Sequence, residues 1–282
     1  MTRHQLLTQV RHQLSAADIP DAANEARDLV LASLQLTRTE LAVSPDAPVS
    51  TEQTALAVSF ANRRLSGEPV DRILGYREFY GRRFYLNADT LSPREDSECV
   101  VDLALRILDS KQHDYKILDL GTGTGCLLLT LLAQLPNSTG LGVDLSPNAL
   151  KMARKNADSL GLIEKVKFKT SNWFETITTQ FDLIISNPPY IETSILPQLE
   201  REVRDFDPAL ALDGGSDGLN CYRLIAAGAK QALLPNRYIV VEIGIGQENQ
   251  VCQIFADHGF TMMKTCNDGG NILRGIAFSQ AI

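Results

Sequence analysis

The chain has 282 residues, of which 44% are hydrophobic and 22% are charged, and its formal net charge is −7. This composition is typical of a globular protein with one large or two unequal domains, and an acidic chain is poorly suited to neutralising nucleic-acid phosphates. The five cysteines are scattered without a C-x-x-C pair, the four histidines do not cluster, and no apolar run reaches membrane-spanning length. We therefore expect no disulfide framework, metal site or membrane segment, and a cytoplasmic location.

Residues 1–72 are predicted to form a small helical domain. Apolar residues recur at helical spacing, first at Leu6, Val10 and Leu14 and then at Ala22, Ala26, Leu29 and Val30. A third helix is predicted to begin at Ser50, because Ser50 and Gln53 have the spacing of a capping box, and to end near Gly67.

Residues 73–96 are predicted to form a β-hairpin linker. Aromatic residues alternate on both sides of Gly81-Arg82, which favours a tight turn between two short strands. A helix is expected near 97–109, at the start of a larger domain of residues 97–282.

Strands and helices alternate from residue 115 onwards, which predicts an α/β domain with a mostly parallel sheet covered on both faces. A ligand is expected at the carboxyl ends of its strands. The predicted strands lie near 116–120, 139–143, 166–170, 181–186, 237–242, 261–266 and 272–278. The last two are expected to pair antiparallel around Asp268-Gly269-Gly270-Asn271.

A glycine-rich turn follows the first of these strands and precedes an apolar helix. It consists of Gly121, Thr122, Gly123, Thr124 and Gly125. Such a turn lets a ligand approach the main chain and presents backbone N–H groups. Cys126 stands where a dinucleotide site has its third glycine, which weakens an NAD or FAD interpretation. Asp119, at the strand end, would repel a pyrophosphate but would hold a cationic amino group.

The next two strands also end in candidate ligand-binding residues. Asp144 can accept hydrogen bonds from both ribose hydroxyls, and Ser146 is the better cap for the following helix, which leaves Asp144 available. Leu145 is placed to cover an adenine. Trp173 follows the third strand, and this position is equally compatible with a buried core residue and with a residue beside the edge of an adenine.

The fourth strand ends in Asn187-Pro188-Pro189-Tyr190, which can grip a planar NH2 group. Such a nitrogen is a poor nucleophile because its lone pair is delocalised. The Asn187 side-chain oxygen and the Pro188 carbonyl could accept its two N–H groups, and the prolines would keep these acceptors aimed. Tyr190 would pack on the planar group. The alternative is a Pro-Pro turn in which Asn187 bonds its own backbone.

In combination, these motifs resemble the S-adenosyl-L-methionine-dependent methyltransferases with a Rossmann-like fold. Within them, the chain is most similar to the glutamine N5-methyltransferases of peptide chain release factors (the HemK/PrmC family). The resemblance covers nearly the whole chain and includes residues 67–69, 73–81, 93–94, 187–191, 202–208, 211–215, 217–219 and 242–244. The family usually has Pro-Arg-Pro-Glu-Thr-Glu where this chain has Pro93-Arg94-Glu95-Asp96-Ser97-Glu98, so the second proline is lost.

The resemblance implies a reaction and a set of roles. S-adenosyl-L-methionine would donate a methyl group without a metal, leaving S-adenosyl-L-homocysteine. The acceptor would be the glutamine of the Gly-Gly-Gln motif in class 1 peptide chain release factors, recognised with help from the helical domain. Asp119 and the glycine turn would bind the methionine end, Asp144 the ribose and Trp173 the adenine edge. Asn187 would touch both cofactor and substrate. Arg94, Asp96 and Glu98 would lie at the entrance as solvated charges.

Two other enzymes remain as alternatives. A methyltransferase acting on a glutamine of a ribosomal protein would use the same chemistry. An N6-adenine methyltransferase of DNA or RNA would grip an exocyclic amine with the same motif. The first 80 residues hold eight arginines, no lysine and ten acidic residues, so no basic recognition region is visible. A monomer without direct nucleic-acid contact is expected.

Overall fold

The computed structural model describes residues 1–108 and 112–280, and the chain divides into two compact units, Met1–Tyr76 and Arg77–Ile282. None of the helices in the described residues is long and apolar enough to cross a membrane.

The first unit is helical, as expected. Its helices are α1 (Arg3–Ser15), α2 (Ala22–Leu34), α3 (Arg38–Val43), α4 (Thr51–Leu65) and α5 (Val70–Leu74). The apolar positions predicted for the first two helices are all buried, and the predicted capping box of Ser50 and Gln53 is present at the start of α4. The short helices α3 and α5 were not predicted, because five or six residues are too few to establish a helical period.

The second unit begins with most of the predicted hairpin, whose strands are β1 (Tyr76–Phe79) and β2 (Arg82–Tyr85). The next helix, α6, spans Glu98–Ile107; its expected last residue, 109, lies outside the described residues. Phe79 and Phe84 pack edge to face in the same hydrophobic cluster as α6, so the hairpin is part of the core of this unit.

An α/β layer structure with a mostly parallel sheet follows, which confirms the expected fold class. The strands are β3 (Lys116–Leu120), β4 (Thr139–Asp144), β5 (Val166–Thr170), β6 (Phe181–Ser186), β7 (Leu233–Glu242), β8 (Phe260–Asn267) and β9 (Leu273–Gln280). The helices are α7 (Cys126–Gln134), α8 (Pro147–Ser159), α9 (Arg201–Phe206), α10 (Asn220–Ala232) and α11 (Glu248–Asp257).

Within the described residues, the strand order is β5-β4-β3-β6-β7-β9-β8. The first five strands are parallel, and β8 and β9 pair antiparallel as predicted. All six residues of β6 are buried, since helices cover both faces of a parallel sheet. Ile185 and Ile184 point into separate clusters on opposite faces of the sheet.

Candidate active site

Four neighbouring parallel strands end in one row. The residues paired in register across β4, β3, β6 and β7 are Val143, Leu120, Ser186 and Val241. The next residue of each chain segment therefore lies at the same edge of the sheet: Asp144, Gly121, Asn187 and Glu242. The Ser186 hydroxyl donates to the carbonyl of Leu120 at 2.7 Å and ties the central two strand ends together. This is the edge at which a parallel sheet binds its ligand.

A cavity of about 320 Å³ opens at this edge, which is within the usual range for small-molecule sites. The predicted site residues that line it are Asp119, Gly121, Thr122, Gly123, Thr124, Asp144, Leu145, Trp173, Asn187 and Pro189. Three predicted site residues, Gly125, Pro188 and Tyr190, are not part of this lining.

Asp119 places a buried carboxyl group in the wall of the cavity. Its exposed fraction is 1%; one oxygen accepts a hydrogen bond from the Thr122 hydroxyl at 2.6 Å, and the other makes no hydrogen bond of ordinary geometry within the described residues. Burial raises the pKa of Asp119 to about 7, with the nearby Asp144 carboxyl adding to the rise and Thr122 opposing it. A buried carboxyl with an unpartnered oxygen is a site for a cation or a hydrogen-bond donor.

The glycine turn is closed by bonds within the protein, which differs from the expected open row of N–H donors. The N–H of Thr122 donates to Val143, that of Gly123 to the Asp144 carboxylate and that of Gly125 to Thr122. Gly125 begins α7 in the left-handed region, with φ +81°. With three of its five N–H groups bonded within the protein, the turn offers few donors to an anion, which agrees with the acidic Asp119 beside it.

Asp144 is less free than its sequence context predicted. Ser146 does cap α8, but each oxygen of Asp144 also accepts a backbone N–H, one from Gly123 and one from Ser146, both at 2.9 Å. Desolvation still raises the pKa of Asp144, while these bonds oppose the rise. Since each carboxylate oxygen has a second lone pair, the group is fixed in orientation and can still accept a ligand hydroxyl.

Two apolar side chains flank the cavity near Asp144. Leu145 lines the cavity and is 51% exposed, so its side chain is accessible to a ligand there. Trp173 lines the cavity and also packs against the core cluster around β7, so its position is compatible with both roles, and its contact with an adenine stays a prediction. Its backbone is in the left-handed region, with φ +49°, a conformation uncommon for a residue other than glycine and often found at functional sites.

Asn187 projects into the cavity from the end of β6 and does not bond its own backbone. Its amide nitrogen donates to the Ser97 hydroxyl at 3.3 Å, and no hydrogen bond to its Oδ1 is found among the described residues. Within residues 1–108 and 112–280, the oxygen is therefore an acceptor without a partner, at the wall of the cavity.

The Pro188–Tyr190 segment is held by the glycine-rich stretch after α9. Ile191 pairs with Asp213 in a parallel bridge, and a Cβ on Gly218 would lie 2.5 Å from the carbonyl oxygen of Tyr190. Pro188 is buried. Tyr190 packs against the core, with its hydroxyl 3.4 Å from the buried Glu242 carboxyl. The close glycine packing fixes the backbone that follows Asn187.

The three charged residues expected at the entrance take part in defined contacts. Arg94 lines the cavity and forms an ion pair with the Asp207 carboxylate, which is only 4% exposed. Asp96 pairs with Arg274 at 2.8 Å, and Glu98 accepts the N–H of Tyr80. They therefore anchor the segment before α6, so a description as merely solvated charges was incomplete.

Sequence reasoning missed several residues of the site. Those that line the cavity and were not predicted include Asp89, Leu91, Ser92, Ser97, Cys126, Ser171, Asn172, Leu210, Ala211, Asp213 and Cys221. Most lie in loops far apart in the chain, where no periodic pattern exists. The only indication in the sequence was that residues 93–98 and 211–215 resemble segments of the family.

Comparison with known proteins agrees with this geometry. A family model described as "Methyltransferase domain" matches residues 111–272, and one described as "PrmC N-terminal domain" matches residues 5–75. A protein of Agrobacterium fabrum named release factor glutamine methyltransferase is 45% identical and covers 97% of this chain and 96% of its own length. A protein of the same name from Geobacter sulfurreducens is 39% identical, and the match covers 97% of this chain and 95% of that protein.

The solved structures add the fold. A methyltransferase from Pyrococcus furiosus superposes with a TM-score of 0.54 at 15% identity, over 78% of this chain and 98% of that protein. The second unit thus has the class I methyltransferase fold, and a helical domain precedes it. Together with identities of 39–45% over nearly the full length, this shows that the chain belongs to the release factor glutamine methyltransferase family.

Proposed function

We propose that this protein uses S-adenosyl-L-methionine to methylate the side-chain amide nitrogen, N5, of the Gly-Gly-Gln glutamine in class 1 peptide chain release factors. One observation carries the proposal: a single cavity joins the unpartnered oxygen of Asp119 to the unpartnered Oδ1 of Asn187. The first suits a cationic cofactor and the second suits the N–H groups of an amide. The names of the relatives support the choice of acceptor.

The residues present fit the cofactor. Asp119 offers a buried carboxylate oxygen for an ammonium group, and Asp144, fixed by two backbone N–H groups, has lone pairs left for the ribose hydroxyls. Gly121 has φ +70°, and a side chain there would enter open space at the cavity wall, so its absence leaves room for a ligand. Leu145 and Trp173 would enclose the adenine.

The protein's part in the reaction is to orient a weak nucleophile. Bound S-adenosyl-L-methionine supplies an electrophilic methyl group. An amide nitrogen attacks poorly because its lone pair is delocalised, and acceptors at Asn187 Oδ1 and the Pro188 carbonyl would hold its two N–H groups. The lone pair would then face the electrophile. Loss of a proton from the N-methylated amide is easy, since that cation is strongly acidic, so catalysis comes mainly from positioning and oriented acceptors.

The proposal extends to partners and location. Residues 1–72 would contribute to recognition of the release factor, and the enzyme would act as a monomer in the cytoplasm, without a metal and without direct contact to nucleic acid. The net charge of −7 supports the last point, because binding to phosphates relies on a basic surface. Light scattering of the purified protein measures its oligomeric state.

A labelling experiment tests the acceptor. Purified protein is incubated with methyl-labelled S-adenosyl-L-methionine and one of three acceptors: a class 1 release factor, the same factor with its Gly-Gly-Gln glutamine changed to alanine, or duplex DNA. Label in the intact factor alone is expected. Label in the altered factor would place the methyl group on another residue, and label in DNA would mean that Asn187 holds adenine.

A further inference from the structure

The amide of Asn187 has two chemically opposite ends, and only one of them suits the proposed reaction. Oδ1 accepts hydrogen bonds, whereas Nδ2 donates them and would repel the N–H groups of an incoming amide. The two ends have nearly the same size, so shape alone does not select between the two orientations. A specific hydrogen bond has to select one.

Ser97 provides that bond. Its hydroxyl accepts from Asn187 Nδ2 at 3.3 Å, which leaves Oδ1 without a partner among the described residues. Ser97 is 2% exposed and closes the 3-10 turn Glu95–Ser97 that precedes α6. This turn is held by Asp96, which is paired with Arg274, so the hydroxyl has a fixed place beside Asn187.

The direction of the bond depends on where Ser97 sends its own proton. The Glu242 carboxyl, 2% exposed, is next to Asn187 in the row of strand ends. Glu242 Oε2 is buried and has no hydrogen-bond partner among the described residues, so it is an acceptor that a hydroxyl can still use. Burial raises the pKa of Glu242, and the Ser97 hydroxyl opposes that rise. The carboxylate form of Glu242, which predominates above its pKa of about 7, only accepts hydrogen bonds. Above that pH, the Ser97 hydroxyl can direct its proton to this carboxylate and its lone pairs to Asn187 Nδ2.

We propose that Ser97, backed by the Glu242 carboxylate, is a positioning residue that holds the Asn187 amide with Oδ1 facing the acceptor amide. The inference deepens the proposed function and rests on it for its effect on turnover. Neither residue touches the reacting atoms; both act through Asn187. The loss of the hydroxyl lets the amide rotate, so a fraction of the enzyme presents Nδ2 instead.

Steady-state kinetics with a release factor test the role of the hydroxyl. Ser97→Ala should lower kcat about tenfold, the scale of one hydrogen bond, and leave the KM for S-adenosyl-L-methionine within about twofold. Ser97→Thr keeps the hydroxyl and should recover kcat to within about threefold of wild type. Ser138→Ala removes another buried hydroxyl, at the opposite end of β4, and serves as the control for a general packing effect.

A second variant tests the direction of the bond. Glu242→Gln keeps the shape of the side chain but can offer Ser97 an N–H, which would turn the Ser97 hydroxyl toward Asn187 Oδ1. We expect kcat to fall at least threefold with unchanged cofactor KM. Wild-type kcat in both Ser97→Ala and Glu242→Gln would overturn the proposal, as would a loss in Ser97→Ala that Ser97→Thr does not recover.

A readout independent of turnover separates this inference from the proposed function. In protein labelled with 15N-asparagine, the side-chain amide signal of Asn187 is assigned by its absence in Asn187→Asp. Its protons should exchange with water at least threefold faster in Ser97→Ala than in wild type or Ser97→Thr. Equal exchange in all three would overturn the positioning role. If wild type fails to label any release factor while this exchange difference is present, the proposed function fails and the positioning role stands.

Discussion

At the residue scale, the site depends on two oxygens, one on Asp119 and one on Asn187, that accept no hydrogen bond from any residue the structure describes. Both lie at the wall of one cavity, and both belong to strand ends whose positions the sheet fixes. The Asp119 oxygen is buried, and leaving a buried polar atom unsatisfied costs free energy, so at a cavity wall it marks a place for a ligand donor.

Asn187→Ala should remove the main acceptor for the substrate amide while sparing cofactor binding. By analogy with the loss of one oriented group in other active sites, we expect kcat to fall by about 10²–10³. Calorimetric affinity for S-adenosyl-L-homocysteine should stay within a few-fold of wild type, since Asp119 and Asp144 remain. Asn137→Ala removes an exposed asparagine away from the cavity and is the control. Turnover by Asn187→Ala near the wild-type rate would contradict the proposed mechanism.

Asp119 should make cofactor affinity depend on pH. Its pKa of about 7 in the free protein means that it is largely protonated at pH 6, and a ligand ammonium group binds the ionised form. Affinity for S-adenosyl-L-homocysteine should therefore rise between pH 5.5 and 8 and level off above the pKa of Asp119. Asp119→Asn should bind more weakly and lose most of this dependence. What remains is assigned to Asp144, whose pKa is also raised. An unchanged pH profile in Asp119→Asn would contradict the assignment.

At the element scale, close helix packing against the segment after β5 should make Gly228 intolerant of a side chain. Gly228 is in α10, where alanine would favour the helix by about 1 kcal/mol. A Cβ there would lie 2.2 Å from a ring carbon of Phe174, and such overpacking costs about 1–3 kcal/mol. Overpacking should exceed the gain in helix propensity because the partly buried Phe174 ring packs against the core cluster, and moving the ring away from α10 gives up that packing.

Gly228→Ala should therefore lower the Tm by roughly 2–6 °C in a thermal melt. Gly269→Ala, where a Cβ meets no atom within 4 Å, is the matched control and should leave the Tm nearly unchanged. A Tm for Gly228→Ala equal to or above that of wild type would show that helix propensity outweighs the contact with Phe174.

At the scale of the whole molecule, two buried carboxyls should make the protein less stable as the pH rises. Burial raises the pKa of both Asp119 and Glu242 to about 7, whereas an unfolded carboxyl titrates near pH 4. Between about pH 4 and pH 7, the folded state thus binds more protons than the unfolded state. The resulting stabilisation is complete below pH 4 and is lost as the pH rises through 7, at roughly 1.4 kcal/mol per pH unit for each group.

Urea unfolding at pH 5.5, 6.5 and 7.5 checks this linkage. The free energy of unfolding should fall across the series, and the slope should flatten in a variant carrying Asp119→Asn and Glu242→Gln. Saturating S-adenosyl-L-homocysteine should restore stability most at the highest pH, where Asp119 is ionised and binds best. A free energy that rises with pH in the wild-type protein would mean that other groups dominate.

The sequence by itself determined the class of fold, the order of the strands along the chain, and the residues whose chemistry is local. Buried strands, the capping box of Ser50 and the Asn187-Pro188-Pro189-Tyr190 motif are readable because periodicity and turn chemistry act over a few residues. The start of β7 was harder to predict, because Pro235 and the left-handed Asn236 interrupt the strand pattern while the strand begins at Leu233.

Only the tertiary structure decided which distant groups meet. The bond between Asn187 and Ser97 joins residues 90 positions apart, the ion pair of Arg94 and Asp207 joins residues 113 apart, and neither spacing has a sequence signal. The sequence likewise presented Asp144 as free, whereas folding brings the N–H of Gly123 to it. Local backbone preferences are encoded in neighbouring residues, but side-chain partners and burial follow from strand register and packing, which exist only once the sheet has formed.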